Sequence, residues 1–486
     1  MATGDQRSLV KNTAYLFLAQ VATVPLSIAA AALIGRYLGP EMMGYTYVGG
    51  TACGFAVLLL EWGHQGALPA LVARDRPGAP AYLGTSLLWR FTMALLLAVG
   101  LASYCQVMGY AAMQKWVVAL MFPASLLASC GGAIKDTIRG FERTDIPALA
   151  QVGQQVLVVC AMLPILLLGG GLKSVLLSSL TVAAVTLIAL RLALRGLGLK
   201  QLRFERSALK QLVILGTPFV FFDFAMAILP IINASFLSKM VPTEVIGWYS
   251  VSQRLIGFII FPASALIGAL YPTLCRLHLE DQPEFVRVTR EALTNVALIA
   301  VPAAVGCGLF PELGVMIFGS VKFAGALSHL RLMSLFVFLV YFTMPLGSAI
   351  LACNRQRAWA LVQSSCILVS VVGSPLLIPY FQRQMGNGAL GTCVTLIASE
   401  AFVVVCGLML APRGIVNAEL VKSLLLAALS GVGMAVVAWF TKPFSLFLAV
   451  PAALATYAVV AYFTGAIKPH TIGMLKGFVQ RKLRRR

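Results

Sequence analysis

Arg254, Asp223 and Glu400 stand in the middle of long apolar runs. There an ionised side chain costs on the order of 2.5–3.5 kcal/mol or more. At about 1.5 Å per helical residue, each lies roughly 14–18 Å from the nearer membrane face counted along its run. Charges kept at such depth are candidates for function. Arg254 offers a planar fork of donors that matches phosphate oxygens. A structural ion pair with Asp223 on the adjacent span is its alternative. Asp223, Glu400 and Glu61 are carboxylates able to take up a proton or a sodium ion as surroundings alternate. His64 follows Glu61 closely enough to share its helix face, either as a proton site or as a satisfied pair at a helix end. No metal-ligand cluster accompanies these groups.

Arg90 and Arg290 open two apolar runs at matching places, 200 residues apart by number. They stand at a predicted inner mouth, or serve as anchors beside lipid headgroups. Arg143, Arg355 and Arg36 are weaker candidates of the same kind. Gln151, Gln154 and Gln155, with Gln363 and Ser364 further on, offer hydrogen bonds to a hydroxylated ligand or between helices. Pro25, Pro218 and Pro230 interrupt apolar runs and are candidate hinges, or tolerated kinks.

The elements that must hold these residues are membrane spans. The 486-residue chain is 59% hydrophobic and 11% charged, far below the charge of a soluble domain. Apolar blocks approach the roughly 20 residues that cross about 30 Å of hydrocarbon. Their continuity excludes the alternation of a β-barrel. Fourteen spans are predicted, beginning with 12–34 and 45–71, passing through 211–238 and 245–270, and ending with 421–440 and 445–466. The first run is read as a span that is not cleaved. The fold class is an all-α integral membrane protein.

The net charge of +20 follows the same logic. With the N-terminus inside, 28 Lys and Arg fall on inner segments and 8 on outer ones, which predicts both ends in the cytoplasm. No basic soluble domain is present to hold nucleic acid. The tail 468–486 is basic and partly amphipathic, suited to anionic headgroups. The ten cysteines are scattered without a C-x-x-C pair and read as buried small hydrophobes.

The chain also repeats itself. A shift of 203 lays Leu38, Glu41, Met43, Gly44, Tyr45 and Val48 on Val241, Glu244, Ile246, Gly247, Trp248 and Val251. A shift of 212 lays Arg143, Ala148, Leu149 and Gln151 on Arg355, Ala360, Leu361 and Gln363. An offset of six spans preserves orientation, so the predicted repeat is parallel, about an axis along the membrane normal. The expected parts are an N-terminal lobe at 1–206, a C-terminal lobe at 207–412, two extra spans at 413–467, and the tail at 468–486.

The stretches "SLVKNTAYLFLAQ" with "IGRYLGPEMMGYTYV", "NASFLSKMVPTEVIGWYSVSQRLIGFIIFPASALIGALYPTLCRL", and "GLFPELGVMIFG" with "FAGALSHLRLM" resemble the polysaccharide-transporter branch of the multidrug/oligosaccharidyl-lipid/polysaccharide exporter superfamily. The resemblance implies a flippase. It would move undecaprenyl-diphosphate-linked oligosaccharide across a bacterial inner membrane by alternating access. It makes Arg254, Arg90 and Arg290 candidates for the diphosphate and Gln151 and Gln363 candidates for the sugar. It also implies membrane lipids, a proton or sodium ion, and polysaccharide polymerase and assembly proteins as partners. Asn233 stands where the family often has an acid, which weakens ion coupling at that position. The rival within the superfamily is a cation-coupled drug or metabolite antiporter, which calls for an acidic cavity; span 1 has no acid. An enzyme is not expected, because the longest outer connection, 311–326, carries one acid, Glu312. No cofactor is expected either. "GGGLKS" at 169–174 lacks the spacing of a phosphate loop.

Overall fold

The computed structural model describes residues 2–199 and 201–466, except for the side chains of residues 2–14, 16, 17, 222, 225, 226 and 269. The basic tail at 468–486 lies outside the described residues. The described residues are 87% helical and no strand occurs among them. The first seven helices are α1 (Ala2–Glu61), α2 (His64–Arg74), α3 (Ala79–Val107), α4 (Ala112–Gly140), α5 (Asp145–Leu167), α6 (Leu172–Gly196) and α7 (Arg206–Met240). Then come α8 (Thr243–Glu280), α9 (Gln282–Leu309), α10 (Pro311–Phe318), α11 (Gly325–Ala352) and α12 (Gln356–Met385). The last three are α13 (Ala389–Leu410), α14 (Ala418–Thr441) and α15 (Leu446–Phe463).

Helix is the expected answer for apolar blocks of this length, since hydrocarbon offers no partner to an unpaired backbone group. Side chains complete some ends. Asp281 accepts from the Glu284 N–H at 3.0 Å, and Asn417 from the Leu420 N–H at 2.9 Å, each satisfying an orphan donor of the first turn.

Twelve described helical segments are long and apolar enough to cross a membrane, against the fourteen spans predicted. The difference arises at two places. Leu18–Arg74 counts once although it is 57 residues long, about twice a span. It turns at Gly39, whose φ of 84° and ψ of −179° leave the helical region, and so holds the two predicted spans 12–34 and 45–71. In α7, Ala227–Met240 counts only as a shorter apolar helix. The candidate hinges behave differently from Gly39. α1 runs on through Pro25, and α7 runs through Pro218 and Pro230.

The chain divides into two compact units, Met1–Ser250 and Val251–Arg486. That boundary falls one helix later than the repeat boundary at 206/207, because α7 packs on α1, α2 and α3. One core of the first unit is formed by Leu68, Leu71, Leu83, Ile134, Ile138, Leu194 and Leu212, drawn from α2, α3, α4, α6 and α7. In the second unit α11 packs on α9 and α13, and α12 on α13. The last two helices dock on α9 through small residues, Ala427, Ala438, Ala449 and Ala453 among them. The Tyr457 hydroxyl donates to the Leu298 carbonyl at 3.0 Å.

The repeated stretches meet within the first unit. A Cβ added to Gly44 would lie 2.1 Å from the Thr243 carbonyl oxygen, and one added to Gly247 would lie 1.9 Å from that of Pro40. The shift of 203 pairs Gly44 with Gly247 and Pro40 with Thr243, so the contact is reciprocal. Beside it the Tyr47 and Tyr249 rings meet edge to face at 5.6 Å. Only glycine permits two backbones to approach this closely.

Candidate functional site

Glu61, His64 and Arg90, three residues singled out separately by the sequence, come together in the first unit. The run 45–71 is not one helix. Trp62 (φ 44°) and Gly63 (φ 66°) break it, leaving Glu61 as the last residue of α1 and His64 as the first of α2. The two therefore do not share a helix face. A close crossing fixes the break, since a Cβ on Gly63 would lie 2.1 Å from the Gly216 oxygen on α7.

Arg90 closes the gap between them. It is the twelfth residue of α3 and fully buried. Its Nε donates to Ser129 Oγ on α4 at 2.9 Å. Ser129 in turn donates to Glu61 Oε1 at 2.8 Å. One Nη donates to the Ser86 hydroxyl and to the Ser86 carbonyl at 3.4 Å. The same nitrogen lies 3.4 Å from His64 Nδ1, and Ser86 Oγ lies 3.0 Å from that ring nitrogen. A guanidinium can only donate, so Nδ1 is assigned as acceptor and the imidazole proton goes to Nε2. His64 Nε2 is buried without a partner among the described residues. Trp89 lies beside both the His64 ring and Trp62, each pair at 6.0 Å between centroids.

Further charges surround this group. Asp136, two turns beyond Ser129 on α4, is buried and pairs with Arg139 at 2.9 Å. Asp223 on α7 accepts from Gln65 Nε2 at 2.6 Å. Chemically, the cluster is a closed chain from carboxylate through hydroxyl and guanidinium to imidazole. It neutralises a buried Arg on site. The Arg90 fork is not presented at a surface, contrary to its expected place at an open mouth. The apolar window began late, at 86, whereas α3 begins at Ala79 and carries Arg90 well inside.

In the second unit Arg290 and Glu400 have separate partners. Arg290 on α9 donates to the Gly414 and Ile415 carbonyls, which ties the loop before α14 to its helix. It thus differs from Arg90, its partner by sequence position. Glu400 on α13 accepts from the Thr343 hydroxyl on α11. Arg254, the twelfth residue of α8, is exposed. Gln151 on α5 and Gln363 on α12 are half-buried. Sequence reasoning missed Ser129 and Ser86. Ser86, one turn before Arg90 on the same helix, was within reach of spacing arguments; Ser129 was not.

Comparison with known proteins adds to this picture. Residues 9–278 match the model of a family described as polysaccharide biosynthesis protein. Among solved structures the chain is similar to the lipid II flippase MurJ in an inward closed conformation, with a TM-score of 0.71 and 12% identity. That likeness covers 93% of this chain and 98% of that one. It is also similar to an inward-facing multidrug resistance MATE family transporter of the MOP superfamily, with a TM-score of 0.64, 17% identity, and coverage of 80% and 94%. A third likeness is to a MOP superfamily transporter from Pyrococcus furiosus whose binding pocket is described as reversed in polarity, with a TM-score of 0.51, 15% identity, and coverage of 83% and 94%. Comparison with curated proteins gave no match. The chain belongs to the polysaccharide biosynthesis protein family and has the fold of the MOP superfamily transporters.

Proposed function

We propose that this protein is a flippase for undecaprenyl-diphosphate-linked oligosaccharide in a bacterial inner membrane, with both termini in the cytoplasm. The observation that carries the reading is Arg254. An exposed guanidinium stands twelve residues into a long apolar helix, in a chain of a polysaccharide-biosynthesis family. Fully exposed to hydrocarbon it would be costly, so the guanidinium calls for a polar or anionic setting at that depth. A diphosphate supplies the oxygens that its fork matches.

In this reading the lobes alternate between inward-open and outward-open states, with Gln151 and Gln363 meeting sugar hydroxyls. Arg290 contributes at the inner mouth, while the lipid tail stays in the bilayer, where α14 and α15 offer an apolar surface. A proton or sodium gradient, or the substrate gradient itself, supplies the energy. A polymerase and its assembly partners consume the product.

The test is surface polysaccharide export in cells that depend on this chain. Arg254→Ala is expected to abolish export and to trap lipid-linked oligosaccharide on the inner leaflet, with the protein at normal abundance. Wild-type export at wild-type abundance would overturn the proposal.

A further inference from the structure

We infer that the second unit carries a separate anion site, specific for a phosphate-bearing group at the membrane surface. A cavity of about 580 Å³ opens between the ends of three helix pairs. His278 and Gln282 line it from the α8–α9 junction, Cys353 and Arg355 from the α11–α12 junction, and Pro412 and Arg413 from the segment after α13. Each of those junctions is a place where apolar spans stop, at Glu280 and Gln282, at Ala352 and Gln356, and at Leu410 and Ala418. The cavity therefore sits at the level of lipid headgroups, on the side that carries most of the chain's Lys and Arg.

Its chemistry is that of an anion receptor. The lining has two arginines and a histidine and no carboxylate. One Nη of Arg355 donates to the Leu410 carbonyl at 2.8 Å, which fixes the guanidinium across the cavity. Its remaining donors, and all those of Arg413, have no partner among the described residues. The acids nearest in sequence are engaged elsewhere. Glu280 lies 3.8 Å from Arg276, Glu284 pairs with Arg287, and Asp281 caps α9. The imidazole of His278 is held by Gln282 Nε2 at 2.8 Å from Nδ1. With Nδ1 accepting, Nε2 carries the proton and is a further donor. Two guanidinium forks with an imidazole N–H form a receptor for tetrahedral, multiply charged oxygens.

Such oxygens come either from an anionic phospholipid headgroup or from a soluble phosphate. The experiment separates the two, using the full chain in nanodiscs of zwitterionic lipid. In one arm, phosphatidylglycerol is added at one part in ten and its retention on the protein is read by native mass spectrometry. In the other, inorganic pyrophosphate is added and the melting temperature is read, with chloride at equal ionic strength as control. Arg355→Gln, Arg413→Gln and the double variant are compared with Arg276→Gln, which removes an exposed cation outside the cavity. Each cavity arginine lost is expected to weaken binding about fivefold, the worth of one basic residue at an anionic surface. Lipid retention lost in the double variant and kept in Arg276→Gln supports a headgroup site. Stabilisation by pyrophosphate lost in the same pattern supports a soluble phosphate. Binding in neither arm, or binding weakened as much by Arg276→Gln as by the cavity variants, overturns the inference. Equal melting temperatures of all variants in zwitterionic lipid alone establish that each is folded.

Discussion

Arg90 and Glu61 are joined through a single hydroxyl. Ser129 Oγ accepts from the guanidinium at 2.9 Å and donates to the carboxylate at 2.8 Å. Arg90 is fully buried and Glu61 half-buried. Glu61→Ala, which strands the buried guanidinium, should therefore approach the roughly 3–5 kcal/mol of a broken buried pair. Arg90→Ala should cost less through Glu61 than through the packing it removes. In detergent unfolding Glu61→Ala is thus expected to lower stability by that order, and Arg90→Ala is expected to be destabilising as well. The double variant Arg90→Ala/Glu61→Ala should recover part of the loss. Ser129→Ala, which keeps both charges, should cost about 1 kcal/mol, near the usual worth of a hydrogen bond between spans. Equal losses for all three would show that the hydroxyl bridge does not couple the charges.

Backbone proximity gives a second expectation. A Cβ at Gly247 would lie 1.9 Å from the Pro40 carbonyl oxygen, whereas one at Gly257 would have nothing within 4 Å. Gly247→Ala should therefore sharply reduce the folded yield in the membrane. Gly257→Ala should be neutral or stabilising by up to about 1 kcal/mol, since alanine suits a helix better. Equal abundance of the two variants would refute the crossing.

The end of the second unit that carries α10 provides a pH-dependent element. Glu312 on α10 lies 2.9 Å from Lys442 and 3.2 Å from Arg331. Burial pushes its carboxyl upward, but Lys442, a backbone N–H and Arg331 outweigh it and hold the group below its usual range. A depressed folded value means stability is fully present above the unfolded value, about 4.3, and is lost as pH falls through the lower folded value. Wild type should lose stability over that acidic window, and Glu312→Gln should lose less. Melting temperature measured between about pH 5 and pH 3 gives the comparison.

Three carboxylates were candidates for ion coupling, and their partners now separate them. Glu61 is tied through Ser129 to a permanent cation. Glu400 meets a neutral hydroxyl, Thr343, which can donate to a carboxylate or accept from the protonated acid. Asp223 accepts from the Gln65 amide nitrogen, which can only donate, so of the three Glu400 has the partner that serves both protonation states. Under the proposed function with a proton as the coupled ion, Glu400→Gln should make export insensitive to the proton gradient while leaving abundance unchanged. Export by Glu400→Gln that still tracks the gradient would exclude Glu400.

The spans were readable because hydrocarbon leaves the backbone one common solution, and the repeat because its glycines and acids kept their spacing. The positions of polar groups within spans were less readable. Hydropathy starts a span where polar residues thin out, so the stretch through Thr85 made α3 look short and put Arg90 at its mouth. It also passed over the break at Trp62–Gly63, where dihedral angles change while the apolar run does not. The link from Arg90 to Glu61 depends on Ser129, 39 residues further along the chain than Arg90, and no local pattern reports such a contact.

Repeated halves ordinarily drift apart, each accepting substitutions without regard to the other. At the crossing of Gly44 on Thr243 and Gly247 on Pro40, that freedom is withdrawn. Neither glycine can acquire a side chain unless the opposite copy's backbone moves away. The two positions are a shared veto on divergence, and a saturation mutagenesis profile should show them as twin intolerant sites.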